Sequence, residues 1–131
     1  MLSRRLLLAT LAGATAFSAM PHALAAGPHA FDAKGFADAQ KAGRPIFVAI
    51  HASWCPTCKA QTPILSELMG DPKFKNLAYF VVDFDSQKDL VKRFGATMQS
   101  TLIAFKGDKE QGRSVGDTNR ASIAALLNKT L

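Results

Sequence analysis

The chain has 131 residues, of which 48% are apolar and 20% charged, enough for one domain with a modest core and too apolar for a disordered segment. Lysine and arginine number 16 against 10 acidic residues, a net charge of +6. The bases are scattered and no aromatic residues interleave with them, which argues against a nucleic-acid-binding face.

The N-terminus reads as a segment apart. "MLSRRLLLATLAGATAFSAMPHALAAG" places Arg4 and Arg5 before an apolar run from Leu6 to about Met20, and Ala23-Leu24-Ala25 has the form of a cleavage site. Residues 1–25 are therefore expected to be a cleaved export signal, leaving 26–131 as the folded domain. The alternative, a retained membrane anchor, would need a longer apolar stretch. "SRRLLL" is similar to a twin-arginine signal, and a Sec signal with two arginines fits as well. Either route leads out of the cytoplasm, and a bacterial periplasm is the expected destination. Removing the segment takes away two of the 16 basic residues and no acid, so the net charge falls from +6 to +4.

"AGPHAF" suggests a short edge strand near residues 26–31. Asp32 caps a predicted helix over 33–42 that turns Phe36 and Ala39 inward, and Gly43 ends it. "PIFVAI" (45–50) is a continuous apolar run, the pattern of a central strand buried on both faces. A helix from Cys55 to about Met69 follows, stopped by Gly70 and Asp71-Pro72. A second strand is predicted at 76–84, and a short helix at 86–94 with Ser86 and Asp89 at capping-box spacing. A third strand at 100–105, a turn at 106–109 and a fourth strand at 112–116 read as a hairpin. A last helix lies within 121–131, capped by Asn119 or Asp117, with Ile123, Leu126 and Leu127 inward. The order predicts an α/β fold: a small central mixed sheet, its middle a βαβ unit, with helices on both faces.

Both cysteines, Cys55 and Cys58, lie in "HASWCPTCKAQTP", just beyond the carboxyl end of the first central strand. Reactive groups gather at that edge in sheets of this kind. Two cysteines three apart close a very small loop, so a disulfide there constrains the unfolded chain little. The spacing favours chemistry over stapling. With Cys55 as N-cap and Pro56 at the first helical position, free helix N–H groups point back at the Cys55 sulfur. Cys58 sits one turn behind, within reach for a disulfide. Cys55 is then the attacking thiol and Cys58 the resolving one.

Trp54-Cys55-Pro56-Thr57-Cys58-Lys59 followed by Pro63 resembles the thioredoxin family. So do "VVDFD", Phe94-Gly95, "TLIAFKG" and Gly116 before the last helix, so that the likeness runs from about Phe31 to Leu131. The resemblance implies a thioredoxin fold, thiol–disulfide exchange, protein disulfide or dithiol substrates, and a monomer with no cofactor beyond its redox-active disulfide. Cys-Pro-Thr-Cys is similar to the motif of periplasmic thioredoxin-like reductases of cytochrome c maturation. Strong oxidants of the family carry a histidine between the cysteines where this chain has Thr57. That difference implies a reductant or an exchange catalyst, resupplied with electrons by a membrane thiol relay.

The chain departs from the family at two places. Ala49 stands where thioredoxins carry a buried aspartate behind the resolving cysteine, which leaves His51, Asp83 and Glu67 as candidate proton acceptors. His51 reads first as a hydrogen-bonded spacer in a loop and only second as a proton-transfer group. Ser100 stands where the family has a cis-proline facing the cysteines, followed by the usual threonine, Thr101. A serine there is expected in trans with its own N–H, so that the loop through Met98, Gln99 and Ser100 presents a changed edge to substrate. Loss of that proline also keeps a copper- or zinc-binding reading open, although no metal ligand set is assigned; a redox-silent interaction domain is the other alternative. Trp54 is expected to cover the sulfur and offer a docking surface, Lys59 to be a solvated charge, and Pro63 to bend the helix.

Overall fold

The computed structural model describes residues 27–131, so the expected export signal at 1–25 lies outside the described residues. Five strands and four helices follow in the order β1 (Pro28–Ala30), α1 (Ala33–Lys41), β2 (Pro45–His51), α2 (Pro56–Met69), β3 (Ala78–Asp83), α3 (Lys88–Arg93), β4 (Thr101–Lys106), β5 (Lys109–Val115) and α4 (Arg120–Asn128). A 3-10 turn at Pro72–Phe74 joins α2 to β3. The sheet order is β1-β3-β2-β4-β5. β1 and β2 run parallel to β3, while β4 runs antiparallel to both β2 and β5. The predicted mixed sheet is present, with helices on both faces.

Strand alternation divides the core. Ile46, Val48 and Ile50 of β2 and Phe80 and Val82 of β3 pack with Phe36 of α1 and Val91 of α3. Phe47 and Ala49 point the other way, to Leu65 and Met69 of α2 and Ile123 and Leu127 of α4. The α1 side is built around phenylalanines. The Phe36 ring lies 5.4 to 5.8 Å, centroid to centroid, from those of Phe31, Phe94, Phe80 and Phe105. Such tilted and edge-on pairs add about 0.5–1.5 kcal/mol each beyond their buried area.

The helix caps are mostly those read from the sequence. The Asp32 carboxylate accepts from the N–H groups of Lys34 and Gly35, and Asn119 Oδ1 accepts from Ser122 N–H. Asp117 backs this cap, accepting from Asn119 N–H and the Ser122 hydroxyl. α3 differs. It starts at Lys88 behind Gln87, and the capping box of Ser86 and Asp89 does not form. Asp83 at the end of β3 draws Ser86 away: its carboxylate accepts from the Ser86 N–H at 2.8 Å and from the Ser86 hydroxyl at 3.0 Å. β5 is also longer than predicted, because an edge strand with one covered face needs little apolar sequence. Its hairpin turns at Gly107, where φ is +60° and a Cβ would stand 3.2 Å from Gly43 Cα.

Candidate active site

β2 ends at His51, and four residues later Cys55 caps α2. The Cys55 backbone is extended, at φ −82° and ψ 112°, and its Sγ accepts the Cys58 N–H at 3.1 Å. Pro56 takes the first helical position, where no N–H is needed. The sulfur therefore lies at the positive end of the helix. Both cysteines are free thiols, each 1% exposed, and they pack with Ala52 and Phe84.

Burial pushes the Cys58 thiol up to about 11; the Cys55 sulfur adds to this as hydrogen-bond partner and as charge, while backbone hydrogen bonds from Ala52 and Ser100 oppose it. Cys58 is thus a neutral thiol at physiological pH, one helical turn behind a sulfur that accepts its backbone N–H.

The facing loop is fastened at Ser100. No peptide bond among the described residues is cis, and Ser100 is their one non-glycine residue at positive φ, +61°. Its N–H donates to Ile50 O at 2.8 Å, and its carbonyl accepts from Gly116 N–H at 3.0 Å and from Gln61 Nε2 at 3.2 Å. Thr101 is buried, and its hydroxyl donates to Met98 O at 2.7 Å. Met98 is half exposed, Gln99 partly covered.

Trp54 is 55% exposed, and its indole N–H donates to Asp85 Oδ2 at 2.7 Å. Thr57 is partly buried, while Pro56, Lys59 and Pro63 are exposed on α2. The helix continues through Pro63, and the Thr62 hydroxyl donates to Cys58 O at 3.0 Å.

Ala49 is buried among apolar residues opposite Val81, so no carboxylate stands behind Cys58 from this position. Of the three proton-acceptor candidates, Glu67 is drawn off to Arg120, 2.9 Å away on the surface. His51 and Asp83 are strand partners at the sheet's carboxyl edge. The Asp83 carboxyl is held below its usual range first by hydrogen bonds from Ser86, then by the Asp85 N–H and the charge of His51.

Two contributors were not singled out from the sequence. Gln61 is 3% exposed and ties α2 to both Ser100 and Asp117 through Nε2. Its signal was there: a polar residue three positions after Cys58, on the helix stripe that continues to Leu65. Asp85 orients Trp54 by accepting its indole N–H.

A vicinal dithiol at the start of the helix that follows the central strand of a mixed five-stranded sheet defines a thioredoxin-fold dithiol protein. The family model for thioredoxin matches residues 28–129, and the chain belongs to the thioredoxin family. It is similar to the thioredoxin of Chlamydia muridarum, 34% identical over 94 residues covering 72% of this chain and 89% of that one. It is 30% identical over 97 residues to the bifunctional thioredoxin reductase/thioredoxin of Mycobacterium leprae, covering 74% of this chain and 21% of that protein. Among solved structures, Trxlp from Edwardsiella tarda superposes with a TM-score of 0.74 at 35% identity, covering 77% of this chain and 98% of that one. The chain is a thiol–disulfide oxidoreductase of the thioredoxin type, a family that acts on protein disulfides.

Proposed function

We propose that this chain is an exported thiol–disulfide oxidoreductase that works as a reductant or exchange catalyst in the periplasm. The observation that carries the assignment of roles is the capping geometry: Cys55 Sγ accepts the Cys58 N–H of the helix start at 3.1 Å while the Cys58 thiol is held neutral behind it. Cys55, as thiolate, attacks one sulfur of a substrate disulfide. A Cys55–substrate disulfide forms, the substrate S–S bond breaks, and the leaving sulfur takes up a proton. Cys58 loses its proton and attacks Cys55 Sγ, which releases the second substrate thiol and leaves Cys55–Cys58 oxidised. Two electrons have passed to the substrate, and the pair needs no cofactor. Restoring the dithiol requires an external donor; a membrane thiol relay suits a protein exported by the signal read in residues 1–25.

The direction of electron flow rests on Thr57 between the cysteines and on the likeness of Cys-Pro-Thr-Cys to reductases of cytochrome c maturation. The reduction potential of the pair tests it. A value near about −270 mV supports a reductant, and one near about −120 mV refutes it. The roles are tested by Cys58→Ser, which should accumulate mixed disulfides through Cys55; their absence in a periplasmic extract would sink exchange catalysis. N-terminal sequencing of the secreted and cell-retained protein tests export, with a mature start near Ala26 expected.

A further inference from the structure

Two cations on α3 have no role in the steps above. Lys88 and Lys92 stand one turn apart on α3, both exposed, and neither has a carboxylate partner among the described residues. They border a groove of about 420 Å³ whose other walls include Phe84, Val91, Ala96 and Thr97. Phe84 joins this groove to the reactive pair. One side of it packs against Ala52, Cys55 and Cys58, and the Lys88 ammonium lies 5.7 Å from its ring centroid. Thr97 opens the loop that leads through Met98 to Ser100.

No carboxylate lines the groove, so the charges on its wall are those of Lys88 and Lys92. Asp85 and Asp83 keep their charge outside it, turned to the Trp54 indole and to the N–H groups of Asp85 and Ser86. Asp89 is not among the residues lining the groove. An apolar floor with two ammonium groups on one rim, neither in an ion pair among the described residues, suits an extended segment that carries apolar and acidic side chains.

We propose that this groove receives the segment flanking a substrate cysteine and that Lys88 and Lys92 select for acidic residues there. The inference rests on the oxidoreductase reading of Cys55 and Cys58 and adds a substrate class to it: protein disulfides with carboxylates beside the cysteine. An apolar side chain covers Phe84 while a carboxylate settles between the two ammonium groups. The contacts are exposed, so each lysine contributes about threefold and the pair about tenfold. Much of that gain appears in the association rate and fades with added salt.

The test compares two synthetic peptide disulfides that differ only in glutamate or glutamine beside the cysteine, with hydroxyethyl disulfide as a neutral reference. Binding of the same two peptides with serine in place of cysteine is followed in parallel by fluorescence of Trp54. Wild type should favour the glutamate peptide about tenfold in kcat/KM, less so at high salt. Lys88→Gln/Lys92→Gln should abolish the preference and Lys88→Glu/Lys92→Glu should reverse it, with hydroxyethyl disulfide turned over at wild-type rates by both. Equal use of the two peptides by wild type, or a preference that survives both double variants, overturns the proposal. Failure to exchange hydroxyethyl disulfide would count against the activity itself; the serine peptides then still decide the groove, and equal affinities for the two overturn it.

Discussion

Gln61 holds Ser100. Its side-chain Nε2 donates to the Ser100 carbonyl at 3.2 Å and to the Asp117 carbonyl at 2.9 Å, so one buried amide links the reactive helix, the facing loop and the approach to α4. Gln61→Met keeps the volume and removes both donations. The Ser100 carbonyl keeps the Gly116 N–H, whereas Asp117 loses its bond from Gln61. The expected loss is about 1–3 kcal/mol in urea unfolding of the reduced protein, the cost of unpairing buried polar groups. Hydrogen exchange at Gly116 and Ser100 should speed up in the same variant. A change below about 0.5 kcal/mol would show that the amide is not structural.

Ser100 itself sits in a costly conformation. At φ +61° a side chain crowds its own backbone, a penalty of about 1–2 kcal/mol that glycine escapes. Ser100→Gly should therefore raise the urea midpoint, even though it gives up the hydroxyl's bond to Gln99 O. Ser100→Ala should not, because it keeps the Cβ and loses the hydroxyl. A lower midpoint for the glycine variant than for the alanine variant would reject backbone strain as the governing effect.

The buried Cys58 thiol contributes to the alkaline pH dependence of the reduced protein. Its titration is raised in the fold from the ordinary 9.0 to about 11, so between those values the native state keeps a proton that the unfolded chain gives up. The native state binds more protons there, and stability must fall as pH rises through the interval. Below pH 9 the effect is fully in place, with no slope from this group. Reduced wild type should thus lose stability from pH 9 upward. Cys58→Ser should flatten that contribution, as should oxidation to the disulfide. A reduced protein as alkali-resistant as its serine variant would contradict the raised titration.

Asp85 positions the one tryptophan of the chain. Asp85→Asn leaves the indole N–H a weaker, neutral acceptor, and Asp85→Ala leaves none. Trp54 is half exposed, so global stability should change by less than about 1 kcal/mol. The readouts are Trp54 emission, expected to shift in both variants, and KM for protein disulfides, expected to rise with kcat for a small neutral disulfide unchanged. Unaltered emission in Asp85→Ala would remove Asp85 from the site.

Phe36 is the centre of the aromatic side of the core, 4% exposed and in ring contact with four other phenylalanines. Phe36→Ala should cost about 3–5 kcal/mol. It lies across the sheet from α2, so the potential of the cysteine pair should stay near wild type wherever the variant is folded. A shifted potential would reveal coupling through the sheet.

The elements that carry the site were legible because their signals are local. Pro45–Ile50 announces a strand by continuous apolar character, and Cys55-Pro56 announces a helix start by the fixed φ of proline and the missing N–H it tolerates. α3 was misread at its start because Ser86 has two possible partners, and the winner, Asp83, belongs to the preceding strand. Gln61 escaped notice because its role depends on carbonyls 39 and 56 residues away in sequence. The φ of Ser100 was beyond local patterning too. It is imposed by its ties to Ile50, Gly116 and Gln61, which no neighbouring residue discloses.

Those ties also say where the sequence is free to change. The loop facing the cysteines is pinned through the backbone of Ser100, to β2 on one side and to Gly116 and α2 on the other. Positions 97–99 hang between that anchor and the end of α3, and Met98 among them is half exposed. Exchanging the side chains at 97–99 disturbs none of the bonds made by the Ser100 N–H, by its carbonyl or by Gln61. A library randomised over those three positions should keep the redox pair working while its members diverge in the proteins they accept, which makes this short span a natural point for redirecting the enzyme.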